Sequence, residues 1–306
     1  MATREAFGKA LARIGSNESI VVLDADVSTS TKTSEFRKLY PRRFINFGIA
    51  EENLFATAIG LAYSGLRVYA SLYSVFVLKA YDQLRIIAHD NLEVKIFASH
   101  SGLTNGPDGW SHQTVEDVAV LRSLPNFKVI VPADGVETER VTEESLKISG
   151  PMYVRLSRTE SPIIFDAGYR FELGRGIILR DGSDVFIIAN GNMLYPAIRA
   201  AEELEREGIK AGVINMSSVK PLDEGLVVEA ARKVGAIVTA EEHSIIGGLG
   251  GAVAEVLARN YPVPVEFVGI NDKFGTSGNV DELYRLYGLT SDNIAMAVKR
   301  ALGRRR

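Results

Sequence analysis

Short apolar runs of four to six residues recur along this chain, and between them apolar residues fall three and four positions apart. Residues 19–23, 44–47, 68–71, 94–98, 128–131 and 152–156 read as strands buried on both faces. Segments 51–64, 75–88, 115–123 and 135–149 carry the helical spacing between them. Strands hidden on both sides need helices across both faces of a parallel sheet, so the pattern selects a layered βα fold over a sandwich or a bundle. The alternation resumes with strands at 184–189, 211–215, 236–239 and 265–269 and helices at 195–207, 223–233 and 252–259. The expected class is α/β, as two βα domains, each a mostly parallel sheet covered by helices.

A stretch with Pro162, a polar start and few periodic apolar residues separates the two series. It predicts a first domain over 1–160, a linker over 161–175 and a second domain over 176–306. A length of 306 residues suits two such domains at roughly 150 residues each. Lys plus Arg is 35 against 38 Asp plus Glu, which lacks the basic excess of a general nucleic-acid binder. With no Cys, thiolate metal sites, disulfides and a cysteine nucleophile drop out. The first residues show no apolar leader, and no run reaches the 18 or so apolar residues of a membrane span. The sequence therefore predicts a cytoplasmic protein without membrane or nucleic-acid partners. The basic end, Arg304, Arg305 and Arg306, reads as a solvated helix terminus.

Three segments carry residues suited to chemistry. Asn46-Phe47-Gly48-Ile49-Ala50-Glu51-Glu52-Asn53 ends a strand on glycine and delivers Glu51 to the first turn of an apolar helix, where open α/β sheets bind ligands. Acids there also simply complement a helix dipole. The loop His100-Ser101-Gly102-Leu103-Thr104-Asn105-Gly106-Pro107-Asp108-Gly109-Trp110-Ser111-His112-Gln113 holds two of the four histidines. Those imidazoles suit proton transfer, phosphate or hydroxyl contacts or, less well, metal ligation, and the alternative is a polar surface loop. Tyr73 and Phe76 lead off the helix after strand 68–71, placed either to stack a flat ring or to fill the core. Gly247-Gly248-Leu249-Gly250-Gly251 opens another helix. Val253 breaks the dinucleotide-binding spacing there, so close packing is the better reading than a phosphate cradle.

In order along the chain, Ala25-Asp26-Val27-Ser28, Gly48-Ile49-Ala50-Glu51, the segment from Tyr73, Asp108-Gly109-Trp110-Ser111-His112-Gln113, Ser157-Arg158 and Glu241-Glu242-His243-Ser244 through Gly250 resemble one family. They are similar to the pyrimidine-binding and C-terminal domains of the thiamine-diphosphate-dependent transketolases and the related deoxyxylulose-phosphate synthases. By that resemblance Glu51 hydrogen-bonds the cofactor's aminopyrimidine ring, a role that asks for a buried carboxyl able to share a proton. Tyr73 and Phe76 stack the pyrimidine, and Asp26 sits near the cofactor. His112 handles protons and hydroxyls of the sugar, and Asp108 contacts a sugar hydroxyl. His100, Arg158, Arg4 and Ser30 hold the sugar phosphate, and His100 favours the transketolases over the synthases. His243 receives no assignment.

The same resemblance exposes a gap. Family members bind the diphosphate through magnesium with a Gly-Asp-Gly triad and a later Asn, and no Gly-Asp-Gly occurs in this sequence. The resemblance thus implies a split enzyme. This chain is the C-terminal-half subunit, and a separate N-terminal-half subunit carrying Gly-Asp-Gly binds most of the Mg or other divalent cation, in an α2β2 assembly. The activity implied is transfer of a two-carbon ketol unit from a ketose phosphate to an aldose phosphate. The rivals are a deoxyxylulose-phosphate synthase, the beta subunit of a 2-oxo-acid dehydrogenase and a non-catalytic scaffolding subunit.

Overall fold

The computed structural model describes residues 1–305, so Arg306 of the basic end lies outside the described residues. The first half runs α1 (Thr3–Ile14), β1 (Ile20–Asp24), α2 (Ser28–Thr31), α3 (Ser34–Leu39), β2 (Phe44–Asn46), α4 (Glu51–Tyr63), β3 (Arg67–Ser71), α5 (Ser74–Val77), α6 (Tyr81–His89), β4 (Val94–Ala98), α7 (Asp117–Ser123), β5 (Lys128–Ile130), α8 (Gly135–Glu144) and β6 (Met152–Arg155). The second runs β7 (Ile177–Arg180), β8 (Val185–Ala189), α9 (Leu194–Arg206), β9 (Ala211–Asn215), β10 (Ser218–Lys220), α10 (Glu224–Val234), β11 (Ile237–Ser244), α11 (Leu249–Asn260), β12 (Val265–Ile270), α12 (Val280–Leu286) and α13 (Ser291–Gly303). No helix among the described residues is long and apolar enough to cross a membrane.

Two sheets result, ordered β10-β5-β6-β4-β3-β1-β2 and β12-β11-β8-β9-β7. Both are parallel except where β10 meets β5 and β7 meets β9. The two-residue side-chain period explains the burial of the central strands. Val21 and Leu23 of β1 enter the core under α4 and α6, while Ile20 and Val22 enter the one under α1 and α8. In β8, Val185, Ile187 and Ala189 face α9 and α13, and Phe186 and Ile188 face α10 and α11. This is the α/β class expected, with each sheet covered on both faces.

Several elements depart from expectation. The single helix anticipated over 75–88 is α5 and α6 joined by a 3-10 turn, Leu78–Ala80. Ser74, Val77 and Ala80 are all buried, and the tighter 3-10 turn, with three residues per turn, keeps Ala80 in line with Val77. The helix anticipated over 135–149 stops at Glu144, and beyond it Lys95 Nζ takes the carbonyls of Ile148 (2.5 Å) and Gly150 (2.6 Å). β10 comes from the second half of the chain yet closes the edge of the first sheet.

The order of the first sheet reverses between β1 and β3. Crevices at such a point, at the carboxyl edge, are where doubly wound sheets bind ligands. The chain leaves that edge at Asp26, Gly48 and Tyr73, and from neighbouring β4 at His100.

Candidate active site

After β2 the chain crosses the sheet edge at Gly48, whose φ of 67° glycine adopts without strain. α4 then begins on Glu51, whose carboxyl side chain is buried. Its Oε1 accepts a hydrogen bond from Lys79 Nζ at 3.2 Å. The same ammonium lies 5.1 Å from the centre of the Phe76 ring, within cation–π range.

Tyr73 follows β3 and pairs with Ser99 as an extra parallel bridge, so β3 and β4 project together beyond the sheet. This stacks Tyr73 on Phe76, with centroids 5.5 Å apart and planes at 10°, and on His100 at 3.8 Å and 17°. His112 turns its edge toward the row, 5.6 Å from Phe76 and 6.4 Å from Tyr73. Neither aromatic is wholly lost to the core, since both stay partly exposed at the head of α5.

His100 is buried with a left-handed φ of 57°. Its Nε2 is 3.4 Å from Arg4 Nη1 and its Nδ1 is 2.8 Å from Ser99 Oγ. A guanidinium only donates, so Nε2 accepts and Nδ1–H donates to Ser99, which assigns a neutral ring. Burial, then the charges of Arg4, Arg158 and His112, push its pKa down to about 3.

Arg4 Nη1 also donates to the Ser30 carbonyl at 2.9 Å, and Arg4 Nε is buried without a partner. Burial and the charge of Arg158 lower the Arg4 pKa. Arg158 Nη1 donates to the Asn105 carbonyl at 3.2 Å and to Asp108 Oδ2 at 2.9 Å. Two mutually repelling cations beside a neutral imidazole and an unsatisfied N–H make a pocket electrostatically suited to an anion.

Nine of the ten residues singled out in the sequence thus gather in one cluster: Glu51 through Lys79 to Phe76, Tyr73, His112 and His100, from which one branch runs to Arg4 and Ser30 and another, through Asn105, to Arg158 and Asp108. Ser30 takes part through its carbonyl. Asp26 stands apart on the same edge, exposed, with its amide bonded to Asn46 Oδ1 at 3.0 Å.

The two halves of the chain match two family models, "Transketolase, pyrimidine binding domain" over residues 1–163 and "Transketolase, C-terminal domain" over residues 174–294. The chain belongs to the transketolase family. A Methanocaldococcus jannaschii chain that bears the name of a transketolase C-terminal section is 44% identical over 301 residues, spanning 96% of this chain and 94% of its own length. Transketolase of Homo sapiens is 36% identical over 304 residues, 98% of this chain but 49% of the human protein. A solved split-gene transketolase, in an inactive beta4 tetramer, superposes with a TM-score of 0.92 at 49% identity, covering 100% of this chain and 99% of that one. As a transketolase-family member the protein is a transferase, and in extent it corresponds to the beta chain of the split-gene form.

Three residues of this candidate site have little to mark them in the sequence. Lys79 looks like an ordinary helix-surface lysine, and only its position six residues after Tyr73 hints that it returns to the same edge. Asn105 lies in the quoted loop, and its Nδ2 donates to the carbonyls of both His100 (3.0 Å) and His112. Glu242 stands in the quoted Glu241-Glu242-His243 motif, but nothing local shows that it reaches the loop from the other domain. The glycine-rich turn at 247–251 proves to be close packing: the Glu241 carboxylate accepts from the N–H groups of Leu249 (2.7 Å) and Gly250 (2.8 Å), filling the helix start with the protein's own anion. His243 accepts from Ala119 N–H at 3.4 Å, an interdomain contact.

Proposed function

We propose that this chain is the C-terminal-half subunit of a split transketolase, moving a two-carbon ketol unit from a ketose phosphate to an aldose phosphate with thiamine diphosphate. The observation that carries the reading is one continuous surface with an acid and stacked aromatics at one end and a partly buried arginine–histidine anion pocket at the other. Glu51, Tyr73 and Phe76 fit a flat aminopyrimidine, because a buried carboxyl stands at a helix start beside an open aromatic face. When bound, the cofactor supplies the electron sink on which the carbon–carbon bond is cut and remade. Glu51 shares a proton with the pyrimidine ring nitrogen, and Tyr73 and Phe76 hold the ring and keep water off it. His112, at the edge of the aromatic row, exchanges protons with the sugar hydroxyls. Asp108 accepts from a sugar hydroxyl, while Arg4 and Arg158, with Ser30, hold the phosphate beside His100, whose accepting Nε2 orients Arg4 toward it. Asp26 approaches the cofactor from the β1 turn.

This chain has no Gly-Asp-Gly for the diphosphate. A partner subunit that carries it supplies that end and most of the Mg or other divalent cation, in an α2β2 assembly with the sites at subunit interfaces. Mixing the purified chain with a Gly-Asp-Gly-bearing partner, thiamine diphosphate and magnesium tests the reading. Ketol transfer from xylulose 5-phosphate to ribose 5-phosphate is expected only with both chains present. Consumption of pyruvate alone would replace it with a synthase or dehydrogenase, an intact but inert complex with a scaffold, and turnover by the isolated chain would remove the split site.

A further inference from the structure

The loop 100–113 carries His100, Asp108 and His112, yet much of what holds it in place belongs to the other domain. Near its start, the Leu103 N–H donates to Oε1 of Glu242, on β11, at 2.7 Å. The approach is so close that a Cβ at Gly102, where φ is 65°, would overlap that carboxylate. In the middle, the Gly278 N–H donates to the Gly106 carbonyl at 3.3 Å, and a Cβ at Gly109 would lie 2.5 Å from Ser277 Oγ. At the end, Gln113 Nε2 donates to the Thr276 carbonyl at 3.1 Å. Just beyond, the Ser244 N–H donates to the Val115 carbonyl at 2.7 Å.

Glu242 is itself fixed. It is buried, and its Oε2 accepts from Asn192 Nδ2 at 2.9 Å, an amide that also contacts Ser157 Oγ and Tyr284 Oη, both at 3.1 Å. Ser157 precedes Arg158, so one carboxylate and one amide tie the loop's entry to the residue before the anion-binding arginine. The loop closes on itself through bonds such as Asn105 Nδ2 to the His100 carbonyl (3.0 Å) and the Gly102 N–H to the Thr114 carbonyl (2.9 Å). The bonds from the other domain fix that folded loop in place, offsetting an ordering cost of roughly 1–2 kcal/mol per residue.

We propose that the C-terminal domain is the clamp that sets the sugar-phosphate loop, with Glu242 as its positioning residue. The inference rests on the reading that this loop meets the sugar phosphate. It predicts that losing Glu242 harms sugar binding and leaves the pyrimidine end, on α4 and α5, intact.

The test uses Glu242→Ala, Glu242→Gln and Gln113→Ala, each as the free chain and assembled with the partner. In the free chain, amide hydrogen exchange over 101–106 should quicken about tenfold in Glu242→Ala, the size of one lost buried hydrogen bond. In the assembled enzyme the KM for the sugar phosphates should rise about tenfold with half-saturation by thiamine diphosphate unchanged. Glu242→Gln, which keeps an oxygen for the Leu103 N–H, should restore most of both. If Glu242→Ala fails to fold, Gln113→Ala gives the same two readouts through the other strut. Unchanged loop exchange and sugar KM, or equal weakening of sugar and cofactor, would overturn the clamp. Exchange does not depend on turnover, so it judges the clamp even if the transketolase reading fails.

Discussion

Lys79 Nζ stands 3.2 Å from Oε1 of Glu51 and 5.1 Å from the centre of the Phe76 ring, so one ammonium touches both groups assigned to the pyrimidine. The contact is lopsided, for the Lys79 side chain is 49% exposed and that of Glu51 5%. Replacing Glu51 with Gln keeps the shape and removes the proton exchange, so turnover of the assembled enzyme should fall by about 10²–10⁴-fold while assembly is kept. Turnover and sedimentation measure the two, and full activity would take Glu51 out of the mechanism. Lys79→Met should shift urea unfolding by less than about 1 kcal/mol, since a half-exposed pair is worth little.

His100 gives the fold a dependence on pH whose sign is fixed. Its folded pKa is pushed down to about 3 from an ordinary 6.5, so the unfolded chain takes up its proton first. The contribution is fully present above pH 6.5 and is lost as pH falls toward about 3. Denaturant unfolding between pH 7 and 4 should show a loss of stability that His100→Asn flattens. Parallel curves for the two proteins, or an imidazolium signal from His100 by NMR at pH 5, would contradict the neutral ring.

Arg158→Lys keeps the charge and loses the planar fork that donates to Asn105 and Asp108. A lysine cannot hold those acceptors and grip a phosphate at the same time. The KM for phosphorylated substrates should therefore rise about tenfold with kcat nearly unchanged, and unphosphorylated sugars should show no such rise. An equal effect on both classes of sugar would move Arg158 away from the phosphate.

The central strands are legible in the sequence because burial on both faces leaves runs such as Ile20–Asp24 and Val185–Ala189 almost wholly apolar. β7 and β10 escape the same reading. β10 is the short triplet Ser218–Lys220, in which one apolar residue, the buried Val219, is too little signal for a strand, and it forms on an antiparallel partner, β5, some 90 residues away. The strand expected over 236–239 runs on through Ser244 for a related reason. Glu241, Glu242 and His243 look like an exposed polar motif, yet each is buried against a backbone N–H of another segment. The candidate-site residues at the sheet edge are legible because strand ends and the turns after them fix their positions, whereas Lys79 and Glu242 reach the site only through tertiary folding.

The boundary between the domains holds one pairing whose removal should be costly. Arg155 Nε donates to Asp117 Oδ2 at 2.9 Å and Oδ1 at 3.1 Å, and Tyr153 Oη donates to Oδ2 at 2.6 Å. The two charged side chains are 5% and 0% exposed, so neither can turn to water. Asp117→Ala leaves the guanidinium with the Thr114 carbonyl, 3.1 Å from Nη2, as its remaining close hydrogen-bond partner. An uncompensated buried charge of this kind costs about 3–5 kcal/mol, to be read from urea unfolding. Removing both charges in Asp117→Leu with Arg155→Met should recover most of that loss, because the desolvation penalty goes with them. A single variant that costs less than about 1 kcal/mol, or a double variant no better than the single, would mean that water reaches this pair in solution.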